Sequence, residues 1–153
     1  MVVYFVCTAN SCRSPMAEGI LKSILQKKNI KSIQVKSCGV MVPAGIGVSA
    51  NSVEIAAEHG VDISGHVPAQ ITEQMAEEAD LIFVMEFVHK ALILSRFPFA
   101  KEKVFLLKEY KSDLRGEIAD PVGFDKQVYE NIFLELSRQI SRIFPYLVEE
   151  NKK

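Results

Sequence analysis

One stretch near the start of the chain, Cys7-Thr8-Ala9-Asn10-Ser11-Cys12-Arg13-Ser14-Pro15, constrains the fold more than any other. Before it stand Val3-Tyr4-Phe5-Val6, β-branched and aromatic residues that read as a buried strand. After it, Met16, Ala17, Ile20, Leu21, Ile24 and Leu25 recur at helical spacing, with Pro15 suited to the first helical position and Ser14 to the N-cap. A tight loop from a strand end into a helix start aims several backbone N–H groups at one point, beside the positive end of the helix dipole. That is the geometry of an anion site. Cys7 lies at its base, and the N–H groups, the dipole and Arg13 all favour a thiolate, so Cys7 is a candidate nucleophile. Arg13 can grip two oxygens of a bound phosphate with its planar fork. Ser14 can hydrogen-bond to the sulfur when that sulfur must leave.

The remaining chain alternates strand and helix patterns. Ile33 to Ser37 alternates as a second strand, ended by Cys38-Gly39. Val40 to Val48, with Pro43, Gly45 and Gly47, reads as a loop of the kind that lines the ligand crevice of an open α/β sheet. Ser49 or Ala50 starts a helix with Val53, Ala56 and Ala57 inward, closed by Gly60, and Val61 to Pro68 is a connector. Thr72 caps a short helix over 73–78. Leu81-Ile82-Phe83-Val84-Met85 is a continuous apolar run, the mark of a strand covered on both faces. A helix from Glu86 to Arg96 stops before Pro98, Val104 to Leu107 is the fourth strand, and Lys108 to Ile118 is a polar loop. The last helix spans about Asp125 to Phe144, with Val128, Ile132, Leu136, Ile140 and Ile143 inward, and the charged tail from about 149 to 153 is expected to fray. This order predicts an α/β domain in three layers, a four-stranded parallel sheet with helices on both faces, over residues 1–153 as a single domain.

Composition narrows the function. Eighteen basic and nineteen acidic residues give a net charge of −1, and no basic stripe argues for nucleic acid. No apolar run approaches a membrane span, although 48% of the residues are hydrophobic. The start lacks the basic region of a signal peptide, and three cysteines fit thiol chemistry in a reducing compartment, so the expected location is cytoplasmic. No cysteine–histidine set has zinc spacing, so no metal is expected, and no cofactor.

The Cys-x5-Arg-Ser loop between a strand and a Pro-started helix resembles the active-site loop of the low-molecular-weight protein tyrosine phosphatases. Their relatives include bacterial protein arginine phosphatases and thioredoxin-coupled arsenate reductases. The resemblance runs from Val2 to about Ile143 and has a second anchor in Asp120-Pro121, between the last strand and the last helix. It implies strand order 2-1-3-4 and a phosphocysteine mechanism, with Cys7, Arg13 and Asp120 catalytic. Thr8, Ala9, Asn10, Ser11, Cys12 and Ser14 then hold the phosphate, and Ser37 and His66 support Asn10. Proline fixes its own φ and restricts the residue before it, which suits a carboxyl group held over the loop as a general acid. His59 and His89 match nothing in the family and read as surface residues. Cys38, where the family usually has alanine, reads as a structural thiol. For Cys12 two readings stand: a small packing residue, or a resolving thiol that traps oxidised Cys7.

Two departures bear on substrate. Tyrosine-specific members usually carry an apolar residue where this chain has Ser11, and aromatics after Asp-Pro where it has Val122-Gly123. A hydroxyl residue at 11 with Asp-Pro-x-Gly resembles the arginine phosphatases, and a planar, polar phosphoguanidinium suits a hydroxyl better than an alkyl group. Phe124 can partly replace one aromatic wall, which keeps a tyrosine phosphatase as the alternative. Arsenate reduction ranks third, because Phe83 to Pro98 lacks the further cysteines that chemistry needs. A non-catalytic oxyanion-binding module would be expected to lack Cys7 or Asp120, and both are present. The expected partners are a phosphorylated protein substrate and phosphate as product, with no nucleic acid or membrane, for a chain acting as a monomer or weak dimer. Ala9 departs from the family's usual glycine, which would bring strain if the backbone there has positive φ.

Overall fold

The first strand, β1 (Val2–Cys7), is apolar on both faces and takes the centre of the sheet in a computed structural model that describes residues 1–153. It is followed by α1 (Arg13–Lys27), β2 (Gln34–Gly39), α2 (Ala50–Glu58), α3 (Glu73–Glu78), β3 (Leu81–Val84), α4 (Phe87–Arg96), a 3₁₀ stretch (Pro98–Lys103), β4 (Val104–Leu106) and α5 (Lys126–Asn151). All strand pairings are parallel and the order is β2-β1-β3-β4, as the resemblance implies. Because β1 pairs with β2 on one side and β3 on the other, the connections leaving their carboxyl ends diverge. A crevice opens at the end of β1, where Cys7 stands.

Alternation along β1 splits the core into two layers. Val3, Phe5 and Cys7 face α1 and α5, packing with Met16, Leu21, Leu136 and Ile140. Tyr4 and Val6 face the other layer, with Ile82, Val84 and Ile93. Fully buried side chains of this size contribute about 2 kcal/mol each, so the strand that carries Cys7 is anchored on both sides. Val6 lies opposite Cys38 in the parallel register and Cys7 opposite Gly39. Cys7 and Cys38 therefore occupy opposite faces of one sheet.

Several element ends differ from expectation. Helix α1 starts at Arg13 after Cys12, with no side-chain cap, because the Ser14 hydroxyl is engaged with Cys7 instead. In α2 the buried residues are Ser52, Ile55 and Ala56, and Val53 packs partly buried against the same core as expected, while Ala57 is exposed. Helix α5 runs past Pro145 to Asn151, so the tail expected to fray from 149 is helical for three residues more. Pro145 removes one N–H, but Leu147 beyond it is fully buried and Asn151 Nδ2 donates to Ser32 Oγ, which together hold the extra turns in place.

Candidate active site

The segment from Thr8 to Ser14 wraps around the crevice. Its backbone N–H groups donate to no other atom of the protein, although Asn10 to Ser14 are all buried. Buried N–H groups are almost always paired, so a run of them left without a protein partner beside Cys7 makes a cradle for an oxyanion. The turn is made possible by Asn10, which takes a left-handed backbone at φ 54°. Ala9 does not have positive φ, so the strain considered for an alanine there does not arise. Gly39 supplies the room: a Cβ on it would stand 2.6 Å from Thr8 O and 2.9 Å from Asn10 N.

The Asn10 side chain is fully buried and bonded at both ends. Its Nδ2 donates to Ser14 Oγ at 2.8 Å and to Ser37 Oγ at 3.0 Å. Its Oδ1 accepts from Ala69 N and faces His66 Nε2, both at 3.0 Å. Because His66 Nε2 also faces the Asn10 carbonyl at 3.2 Å, that nitrogen carries a proton, and burial holds the imidazole's pKa below its usual value. Ser37 donates in turn to Glu18. Since Ser14 accepts from Asn10, its own hydrogen is free for Cys7 Sγ at 2.9 Å, nearer than Cys38 O at 3.4 Å. The structure thus brings Cys7, Asn10, Ser14, Ser37 and His66 into one chain of neutral donors that ends on the sulfur.

Arg13 lies on the other flank and is 1% exposed. One guanidinium nitrogen donates to Ile118 O at 2.8 Å and meets Glu86 Oε2 at 2.9 Å; the other lies 3.7 Å from Asp120 Oδ2. A buried guanidinium requires such pairing. Asp120 itself is at the mouth, its side chain 44% exposed, with Oδ1 accepting from Val122 N at 3.1 Å. Phe124 N closes the turn onto Pro121 O, and Gly123 supplies the positive φ of 85° that the turn's third residue needs.

His89 corrects the sequence reading. It is not a surface residue but fully buried, with Nε2 2.8 Å from Thr8 Oγ1 and 3.3 Å from Glu86 Oε2. Glu86 and His89 form a reciprocal cap at the start of α4. The sequence alone gives no sign of a role for either at the cradle. The capping pattern uses histidine where glutamate or glutamine is usual, and it stands about eighty residues from the loop it touches. His59, by contrast, does lie at the surface, stacked on Phe133 beside Glu130.

All three cysteines are free thiols. Cys12 Sγ points toward Tyr129 Oη of α5 at 3.8 Å, within the core layer that also holds Cys7. Cys38 is fully buried on the opposite face, and burial, then the proximity of Cys7, pushes its thiol pKa up. Ser11 Oγ donates to Gly47 O at 3.0 Å, and Ser49 N donates to Ser11 O at 2.9 Å, tying the loop over 41–48 to the cradle.

Comparison with known proteins gives a consistent picture. The sequence model of the family described as low molecular weight phosphotyrosine protein phosphatase matches residues 2–153. A protein-arginine-phosphatase of Bacillus subtilis is 34% identical over 152 residues, covering 99% of this chain and 100% of that protein. Among solved structures, the YwlE arginine phosphatase with its active-site cysteine replaced by a phosphorylated serine superposes with a TM-score of 0.93, at 34% identity and 99% coverage of both chains. A low molecular weight protein tyrosine phosphatase from T. tengcongensis gives 0.90 at 39% identity, covering 95% of this chain and 99% of that one. No helix of the chain is long and apolar enough to cross a membrane.

Proposed function

Because this chain belongs to the low molecular weight phosphotyrosine protein phosphatase family, we propose that it removes phosphate from phosphoarginine in proteins through a phosphocysteine on Cys7. The Cys7 thiolate attacks phosphorus in line, the S–P bond forms and the N–P bond breaks. The cradle N–H groups of residues 8–14 and the Arg13 fork hold the three equatorial oxygens. Asp120 gives its proton to the departing guanidine nitrogen, then takes one from the water that attacks phosphocysteine, releasing inorganic phosphate. The Asn10–Ser14 chain donates to the sulfur as it leaves. A phosphorylated serine at the active-site cysteine position of a relative supports the covalent route.

Ser11 carries the choice of substrate. Its hydrogen is committed to Gly47 O, so its oxygen offers only lone pairs to the crevice. A guanidinium has N–H groups to give them; a phenyl ring has none. The Asp120 carboxyl at the mouth offers an acceptor oxygen to a guanidine N–H beside the proton that the departing nitrogen takes. The tyrosine alternative rests on Phe124, 63% exposed in the turn after Asp120, which can supply one apolar wall. We assign the phosphorylated substrate to the protein class, place the enzyme in a reducing, cytoplasmic setting that suits three free thiols, and take it as one domain working as a monomer or weak dimer, apart from nucleic acid and membrane.

Matched phosphoarginine and phosphotyrosine peptides test the preference. Wild type should favour phosphoarginine in kcat/KM. Ser11→Ile should lower that activity by about tenfold, the effect of about 1.4 kcal/mol, and leave phosphotyrosine turnover equal or better. A wild-type preference for phosphotyrosine greater than about tenfold would end the arginine reading.

A further inference from the structure

His89 occupies the third position of α4 with no exposed surface, and both ring nitrogens are engaged. Nδ1 accepts the Glu86 N–H at 3.0 Å, so in the neutral ring the proton sits on Nε2. That Nε2–H donates to the Thr8 hydroxyl at 2.8 Å, and the Glu86 carboxylate lies 3.3 Å from the same nitrogen. A histidine that served only as a cap would engage one nitrogen and leave the other to solvent. Here the second nitrogen is aimed at the residue that follows Cys7 and at the carboxylate that holds Arg13.

We propose that His89 is a positioning residue of the phosphoryl-transfer site, a fixed N–H donor that turns the Thr8 hydroxyl toward the bound oxyanion and steadies the carboxylate to which Arg13 is tied. Thr8 Oγ1 faces a donor, so its single hydrogen cannot go back to His89, and the hydroxyl makes no other hydrogen bond within the protein. Thr8 is half-buried at the lip of the cradle, and its hydroxyl hydrogen is left for a phosphoryl oxygen. The same ring nitrogen lies 3.3 Å from Glu86 Oε2, the carboxylate oxygen that meets Arg13 at 2.9 Å, so the buried ring packs against that ion pair. A protonated ring would need to donate from Nδ1 toward an N–H and would set a second cation beside Arg13. Burial, then the charge of Arg13, hold the ring's pKa at about 4, which keeps the donor neutral and its tautomer fixed.

The proposal rests on Cys7 acting as the nucleophile, so the test begins with p-nitrophenyl phosphate, which is indifferent to the choice between arginine and tyrosine. Activity that survives Cys7→Ser would overturn the functional reading and this proposal with it. With that activity lost, Thr8→Val, His89→Leu, the double variant and His89→Gln are compared for kcat/KM, inhibition by inorganic phosphate and thermal midpoint. Thr8→Val and His89→Leu should each lower kcat/KM and weaken phosphate inhibition by roughly tenfold, the size of one well-placed hydrogen bond. The double variant should be no worse than the poorer single by more than about twofold, since both remove one interaction. His89→Gln offers an amide oxygen to Glu86 N–H and an N–H to Thr8, and should recover activity to within about threefold. If His89→Leu lowers only the thermal midpoint, or if the two losses multiply in the double variant, His89 is packing alone and the proposal falls. Should His89→Leu not fold, an unchanged kcat/KM and phosphate inhibition in Thr8→Val would overturn it as well.

Discussion

The two flanks of the phosphate cradle are held by different physics. On the Asn10 side, neutral amides and hydroxyls form a directional chain from Ala69 and His66 through Asn10 and Ser14 to the sulfur. Such bonds fix geometry, and each is worth only about 1 kcal/mol net. On the Arg13 side, a buried cation is balanced by Glu86 and Asp120, with His89 wedged between Glu86 and Thr8. Charges in a partly desolvated site act over longer distances and respond to the charge that develops in the transition state. One flank shapes the loop, and the other tunes what the loop does to phosphate.

Perturbing each flank in turn tests that division. The largest effect is expected from Asp120→Asn, which should slow turnover of poor leaving groups by about 10²–10⁴-fold while phosphate binding and the thermal midpoint barely move. Full activity in that variant would remove Asp120 as the acid. Glu86→Gln should come next. It leaves the buried Arg13 with neutral oxygens and only the more distant Asp120 as a counter-charge, costing about 3 kcal/mol of unfolding free energy in urea together with a rise in the inhibition constant for phosphate. A loss of stability without the weaker binding would show that Glu86 merely neutralises charge.

A pH effect of similar size follows from His89, whose ring is faced by Arg13, Glu86, Asp120 and Glu117. Its folded pKa of about 4 lies below the ordinary value of 6.5, so the unfolded chain takes up the proton first as pH falls. Stability should therefore decline by roughly 3 kcal/mol between about pH 6.5 and pH 4, then level off. His89→Gln should flatten that part of the curve; an unchanged slope would mean that the ring titrates normally. The smallest change is expected from Ser37→Ala on the neutral flank. Removing one acceptor of Asn10 should cost about 1 kcal/mol of stability and leave the leaving-group dependence of turnover as it is. A shift in that dependence would break the division of labour.

The two flanks also differ in how far they could be read from sequence. The cradle is local: Cys7, Arg13 and Pro15 stand within one turn of chain, and strand and helix patterns on either side place them at a crevice. Ser37 and His66 entered only through the family resemblance, since nothing in Val61 to Pro68 announces that an imidazole reaches Asn10. Ser14 reads as a helix cap because serine favours the N-cap and Pro15 the first helical position, yet its hydroxyl meets Cys7 and the helix begins uncapped at Arg13. The roles of Glu86 and His89 at the cradle are illegible because the ion pair to Arg13 and the contact to Thr8 join distant parts of the chain and leave no trace in local spacing. The true end of α5 is hidden from local sequence for a related reason: Leu147 and Asn151 find their partners in distant parts of the chain.

The central claim is that phosphate passes from substrate to the sulfur of Cys7. Mixing the protein with a phosphoarginine peptide, quenching with acid within the first turnover and mapping the adduct by mass spectrometry tests it most directly. The account predicts one phosphoryl group, carried on Cys7, with none on Cys12 or Cys38, and a slower decay of that adduct when Ser14→Ala removes the hydrogen bond to the sulfur. Phosphate released with no adduct at any time, or an adduct on another residue, would contradict it.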